Sequence, residues 1–179
     1  MRPRAATQLL TAGLAGLLIT GCASRQAAPP ASPAIITAAP AAAALAPAIY
    51  MQLAASSALF AVRASELAAE RANDPRLRDV ARAIAQDQRG IGSQLNFAGR
   101  RLDLLPSASM SDAQAADLER LRTTAQFDQL YRQLVRPVLT RAYQAHSSFA
   151  VRGASPTLRP VAKMAAPATR RNIEQLRAR

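Results

Sequence analysis

Residues 74–102 read DPRLRDVARAIAQDQRGIGSQLNFAGRRL. Leu77, Ala81, Ile84, Gln88, Ile91, Leu95, Ala98 and Leu102 recur at three- and four-residue spacing, an apolar stripe with a single polar member. That period belongs to one buried face of a long helix. Asp74 reads as its N-cap and Pro75 sits in the first turn, where a missing N–H costs nothing. Pro106 reads as its stop. Gly90-Ile91-Gly92 falls inside the stripe with no strand before it, so it is not a phosphate loop.

The same period extends in both directions. Before it, Ile49, Leu53, Phe60, Ala64 and Leu67 place a helix over about 48–71. After it, Ser111 with Gln114 reads as a capping box opening a short helix through Leu118 and Leu121. A long helix follows from Phe127 through Tyr131, Leu134, Val138, Ala142 and Phe149 to a stop at Gly153. The last opens at Ser155-Pro156 and carries Leu158, Val161, Ala165, Asn172 and Leu176. No strand pattern competes, so the expectation is all-α: an antiparallel four-helix bundle over 48–179 with an extra short helix. Pro137, Pro160 and Pro167 fall inside helices, where each removes a hydrogen bond; the first should kink its helix, and the last helix should be the least regular.

Composition narrows function by exclusion. The chain has 179 residues, one Cys and one His, which leaves no disulfide framework and no metal cluster built from several Cys or His. With a single His and no glycine elbow around any Ser, no Ser-His-Asp arrangement can be assembled. Net charge is +12, which favours anionic surfaces as partners. Those charges are spread over every long helix, with Arg100-Arg101 and Arg170-Arg171 the only adjacent pairs in the bundle. The last helix has no aromatic residue, so nucleic-acid binding is not expected.

At the N-terminus, Arg2 and Arg4 precede an apolar run from Leu9 to Ile19, the charged and apolar regions of a secretory signal over 1–21. The run is too short to span a bilayer, which takes about 20 residues. Then comes Ile19-Thr20-Gly21-Cys22, a small-residue cleavage site ending in the only Cys. It resembles the lipobox of bacterial lipoproteins, with Ile19 where Leu is commoner. The resemblance implies cleavage before Cys22 and acylation of its thiol and amine, and Ala23 after it implies outer-membrane sorting. Residues 23–47 hold 12 Ala and 5 Pro, too little apolar bulk to offset chain entropy; with Cys22 they read as a disordered tether, about 25 to 30 Å long if coiled and roughly 75 Å if extended.

Over most of the bundle, a further set of residues carries a family likeness. Leu67-Ala68-Ala69-Glu70 precedes Asp74-Pro75, Asp87 lies in the second long helix, Phe127-Asp128 and Tyr131 open the third, and Ser155-Pro156 and Pro167 mark the last. In this order they resemble a family of small exported bacterial proteins with a ferritin-like four-helix bundle, known mainly as a domain of unknown function and often labelled outer-membrane proteins. The departures are at the family's histidines and acids. Gln88 follows Asp87 where the family has His, the other two His positions fall on Leu139 and Asn172, and an acidic pair falls on Ala61 and Arg63. No Glu-x-x-His occurs, and Arg63 beside such a site would repel a cation, so no metal or other cofactor is expected.

The remaining candidates have bland readings that outweigh the chemical ones. His146 reads as a structural, hydrogen-bonded His. Glu66, Glu70 and Asp74 read as a solvated acidic edge and not as an acid-base pair. Asp87 has no base one turn away, so its partner must come from another helix or from water. Gln88 and Asn172 are expected to meet across the bundle in a polar contact that fixes helix register. The function expected is therefore a lipid-anchored, non-enzymatic envelope module facing the periplasm, its basic surface against anionic lipid or lipopolysaccharide. The alternatives are an atypical metal-handling ferritin-like protein and a stress or adaptor protein gripping an unknown protein partner through its last helix.

Overall fold

The structure, a computed structural model, describes residues 45–105 and 109–177. The proposed cleavage site and Cys22 lie outside the described residues. So does most of the proposed tether. Residues Pro40–Arg179 form one compact unit. It holds α1 (Pro47–Arg71), α2 (Pro75–Arg100), α3 (Asp112–Thr123), α4 (Phe127–Arg152) and α5 (Leu158–Arg177). There is no strand among the described residues.

The four long helices form a ring in which α1 packs on α2 and α4, and α5 closes it against α2 and α4. Two core clusters show the direction of each helix. One joins Phe60 to Ala72 of α1 and its exit with Leu77 to Ile84 of α2, Phe127 to Leu139 of α4, and Ile173 and Leu176 of α5. The other joins Tyr50 to Ala54 of α1 with Ile91 to Ala98 of α2, Ala145 and Phe149 of α4, and Leu158 to Ala168 of α5. Neighbouring helices therefore run antiparallel. The first pole gathers the end of α1, the start of α2, the start of α4 and the end of α5; the second gathers the opposite ends. Short α3 crosses α1 and α4, burying Leu118 and Leu121 in the first cluster. Both clusters are drawn from residues of this unit alone, so the bundle carries its own core.

The caps follow the sequence. Asp74 Oδ1 accepts the Arg76 N–H at 2.9 Å, and Ser111 and Gln114 form the full capping box of α3. Ser155 Oγ accepts the Leu158 N–H at 3.3 Å at the entry to α5.

Several details depart from expectation. Ile49 is exposed, and Tyr50, Met51 and Ala54 face inward in its place, because α1 packs against α2, α3 and α4 and buries a broad face rich in small residues. In the middle of α4, Val135 and Leu139 are buried where Leu134 and Val138 were expected, and the latter two are only partly buried. α2 ends at Arg100, six residues before Pro106. There Asp103 takes the left-handed conformation, φ 51°, and the Leu104 N–H turns back to the Gly99 carbonyl at 3.0 Å, a stop made by a short polar residue that tolerates positive φ. Pro160 lies in the first turn of α5, where an N–H has no helical partner to lose, so only Pro137 and Pro167 sit inside helices. Both helices run on through their prolines.

Candidate functional site

The interior is crossed by three polar contacts, each joining helices that neighbour in the ring. Gln88 of α2 and Asn172 of α5 are both buried. Gln88 Nε2 donates to Asn172 Oδ1 at 3.0 Å, and Asn172 Nδ2 donates to Asp87 Oδ2 at 2.8 Å. The Asp87 carboxylate can only accept, so it turns the Asn172 amide nitrogen toward itself, and the Asn172 oxygen then requires a donor from Gln88. One carboxylate thereby orients two amides and pins α2 to α5 in a single register. Asp87 opens into a surface groove of about 790 Å³ between these helices, over Ile91, Val161 and Ala168, and Arg171 Nη2 stands 3.9 Å from it.

Nearer the second pole, Tyr50 Oη lies 3.0 Å from His146 Nδ1. The two rings meet edge to face at 77°, and Tyr50 stacks on Phe149 with centroids 4.0 Å apart. Burial raises the Tyr50 hydroxyl's pKa and pushes His146 down to about 4, because the charged form of each loses its solvation. At neutral pH the imidazole is therefore uncharged and the phenol keeps its proton, so the two share one hydrogen bond whose donor is set by which ring nitrogen carries the imidazole proton. Nearer the first pole, Tyr131 Oη lies 2.8 Å from Ser65 Oγ, both buried. Burial raises the Tyr131 pKa, partly offset by the Ser65 bond and the Arg132 charge.

Acid-base work needs a group that titrates near the working pH and reaches a substrate. His146 does neither. Its fixed, neutral contact joins α1 to α4. Sequence reasoning did not pair Tyr50 with His146 or Ser65 with Tyr131. The available signal was positional: each is polar on an inward-facing stripe, and a buried polar group must find a partner.

The other candidates are not brought together. Glu66 binds Arg63 at 3.3 Å and Arg89 at 2.7 Å, Glu70 is exposed, and Asp74 caps α2 while lying 3.5 Å from Arg132. Arg63 is exposed beside Glu66 and no metal-binding group lies next to it among the described residues. Leu139 and Ala61 are fully buried in apolar packing. Among the described residues, no group of three or more His, Cys, Asp and Glu converges. Thr169 Oγ1 is buried and has no hydrogen-bond partner among the described residues.

Residues 32–178 match the family model described as a domain of unknown function, DUF4142. The chain belongs to the DUF4142 family. No curated protein and no solved structure matches it significantly. The matched region takes in all five helices of the DUF4142 bundle, and in this member three buried polar contacts occupy the interior.

Proposed function

We propose that this DUF4142 protein is a lipid-anchored component of a bacterial cell envelope. In this reading, acylated Cys22 holds a non-enzymatic, ferritin-like bundle at the periplasmic face of the outer membrane, where it acts as a binding or structural module. The observation that carries the non-enzymatic part is the Asp87–Asn172–Gln88 chain; the anchor rests on the likeness of Ile19-Thr20-Gly21-Cys22 to a lipobox. At two of the positions where the family's histidines belong stand neutral amides already committed to holding α2 against α5. The bundle's 20 basic and 11 acidic residues add a net positive surface suited to anionic lipid headgroups or lipopolysaccharide phosphates.

Mass spectrometry of the mature N-terminus tests the anchor: the expected species begins at Cys22 and carries acyl chains, and a bare thiol overturns it. Equilibration with stoichiometric Fe, Mn or Zn tests the inert interior, with no retained metal expected. A tightly held ion would return the protein to the metal-handling class.

A further inference from the structure

The second pole of the bundle differs from every other part of its surface. The exposed large hydrophobic residues among those described are Ile49, Phe97, Leu105, Val151 and Met164. Ile49 lies in the first turn of α1, Phe97 and Leu105 in the last turn of α2 and just beyond it, Val151 in the last turn of α4, and Met164 in the second turn of α5. All five therefore belong to one pole, and the first four are between 58% and 74% exposed. Single exposed hydrophobics are ordinary; their confinement to one end is not.

Charge follows the same division. Segments 45–58, 91–105 and 145–168 contain Arg100, Arg101, Arg152, Arg159 and Lys163 against one acid, Asp103; the other ten acids lie elsewhere. Away from this pole eight arginines are ion-paired. Among the described residues, none of these five cations has a carboxylate partner. Arg101 instead lies over the Phe97 ring at 6.0 Å, and Arg152 donates to the Ser148 hydroxyl at 2.8 Å. Leu45, where the described chain starts, also packs into this pole, so the segment leading back to Cys22 is attached here.

We infer that this pole is the face with which the bundle docks on an anionic phospholipid bilayer. Ile49, Phe97, Leu105 and Val151 enter the headgroup boundary while Arg100, Arg101, Arg152 and Arg159 meet lipid phosphates. The inference rests on the envelope reading above and adds an orientation to it: the bundle stands on the end from which its tether leaves. Apolar tips ringed by unpaired cations suit an interface that is apolar within and negative at its rim. A second copy of the chain suits it poorly, because it would set the same five cations against each other.

Residues 40–179, which hold both core clusters, are the test piece, and the absence of Trp makes an introduced Trp a sole reporter. Phe97→Trp is compared with Gln129→Trp, an exposed site on α4 near the first pole, on vesicles of phosphatidylcholine alone or mixed with phosphatidylglycerol. The expected result is a blue shift for Phe97→Trp only, only with phosphatidylglycerol, and reversed by salt. Replacing Arg100 and Arg101 by Gln lowers vesicle partitioning about twenty-five-fold, about fivefold for each charge, whereas Gln at Arg120 and Arg122 of α3 changes it little. Equal shifts at both Trp positions, no shift, or dimerisation through Phe97 in place of lipid binding overturns the inference. The anchor fails separately: a bare Cys22 with the vesicle-dependent shift removes the anchor alone, and an acylated Cys22 without that shift removes the docking pole alone.

Discussion

The two ends of the bundle are made from the same four helices, yet their arginines have opposite duties. At the first pole they lash connections together. Arg71 donates to the Leu121 carbonyl at 2.9 Å and lies 5.1 Å over the Phe127 ring, Arg78 reaches the Ala72 carbonyl at 2.5 Å, and Arg132 holds the Leu176 carbonyl at 2.7 Å. Asp128 completes the latch by accepting the Asn73 and Asp74 N–H groups at 2.9 and 3.0 Å. At the second pole the Leu104 N–H returns to the Gly99 carbonyl, the Gly153 N–H returns to the Phe149 carbonyl and Ser155 caps α5, while the cations face outward. One end of the molecule is sealed by polar groups that satisfy one another; the other keeps its charge and its apolar tips for something outside. The difference lies in the surface and the loops, since both poles bury aromatic side chains completely.

That contrast can be broken most severely in the cores. Phe60→Ala at the first pole and Phe149→Ala at the second should each cost about 3 to 5 kcal/mol in chemical denaturation, because both rings are fully buried. A cost below about 1 kcal/mol at Phe149 alone would show that the second pole is loosely packed and that the contrast reaches the interior.

Acid should weaken the second pole through His146. Its folded pKa of about 4 lies below the ordinary 6.5, so between these values the unfolded chain holds a proton that the folded chain lacks. Stability is therefore fully present above about pH 6.5 and is lost as the pH falls toward 4, by up to about 3 kcal/mol. Thermal melts of the parent and His146→Gln proteins over this window should differ in slope, the variant being flatter. Parallel slopes would mean that the imidazole is solvated.

Between the poles, Asn172→Leu should cost about 1 to 3 kcal/mol, since Gln88 then keeps a buried donor with nothing to receive it. Replacing both amides by Leu should recover most of the loss. If the double variant is no better than the single, the chain from Asp87 contributes more than mutual satisfaction. The smallest effect should be a gain: Thr169→Val removes a buried hydroxyl that has no partner among the described residues and should stabilise the fold by up to about 1 kcal/mol in denaturant titration.

The helices themselves were legible because each rests on local chemistry. Asp74-Pro75, Ser111 with Gln114, and Gly153 punctuate the chain, and the period of α2 is unambiguous over its whole length. The Gln88–Asn172 contact was also within reach, because each residue is the polar member of an otherwise apolar series. α1 was harder: with alanine over so much of its surface, hydrophobicity hardly separates the inner face from the outer, and Ile49 went to the wrong side. The end of α2 was misplaced for a related reason. Its stop is a backbone turn at Asp103, with no Gly or Pro at that position to mark it.

The period and the caps are properties of neighbouring residues, and the sequence alone determined from them the number and order of the helices; the proposed anchor likewise rests on the residues next to Cys22. Which polar groups meet, which arginines find partners and which hydrophobic tips stay wet were decided only by tertiary structure. These depend on residues such as Tyr50 and His146, 96 positions apart, whose approach is set by how four helices pack and is not encoded in the spacing along any one of them.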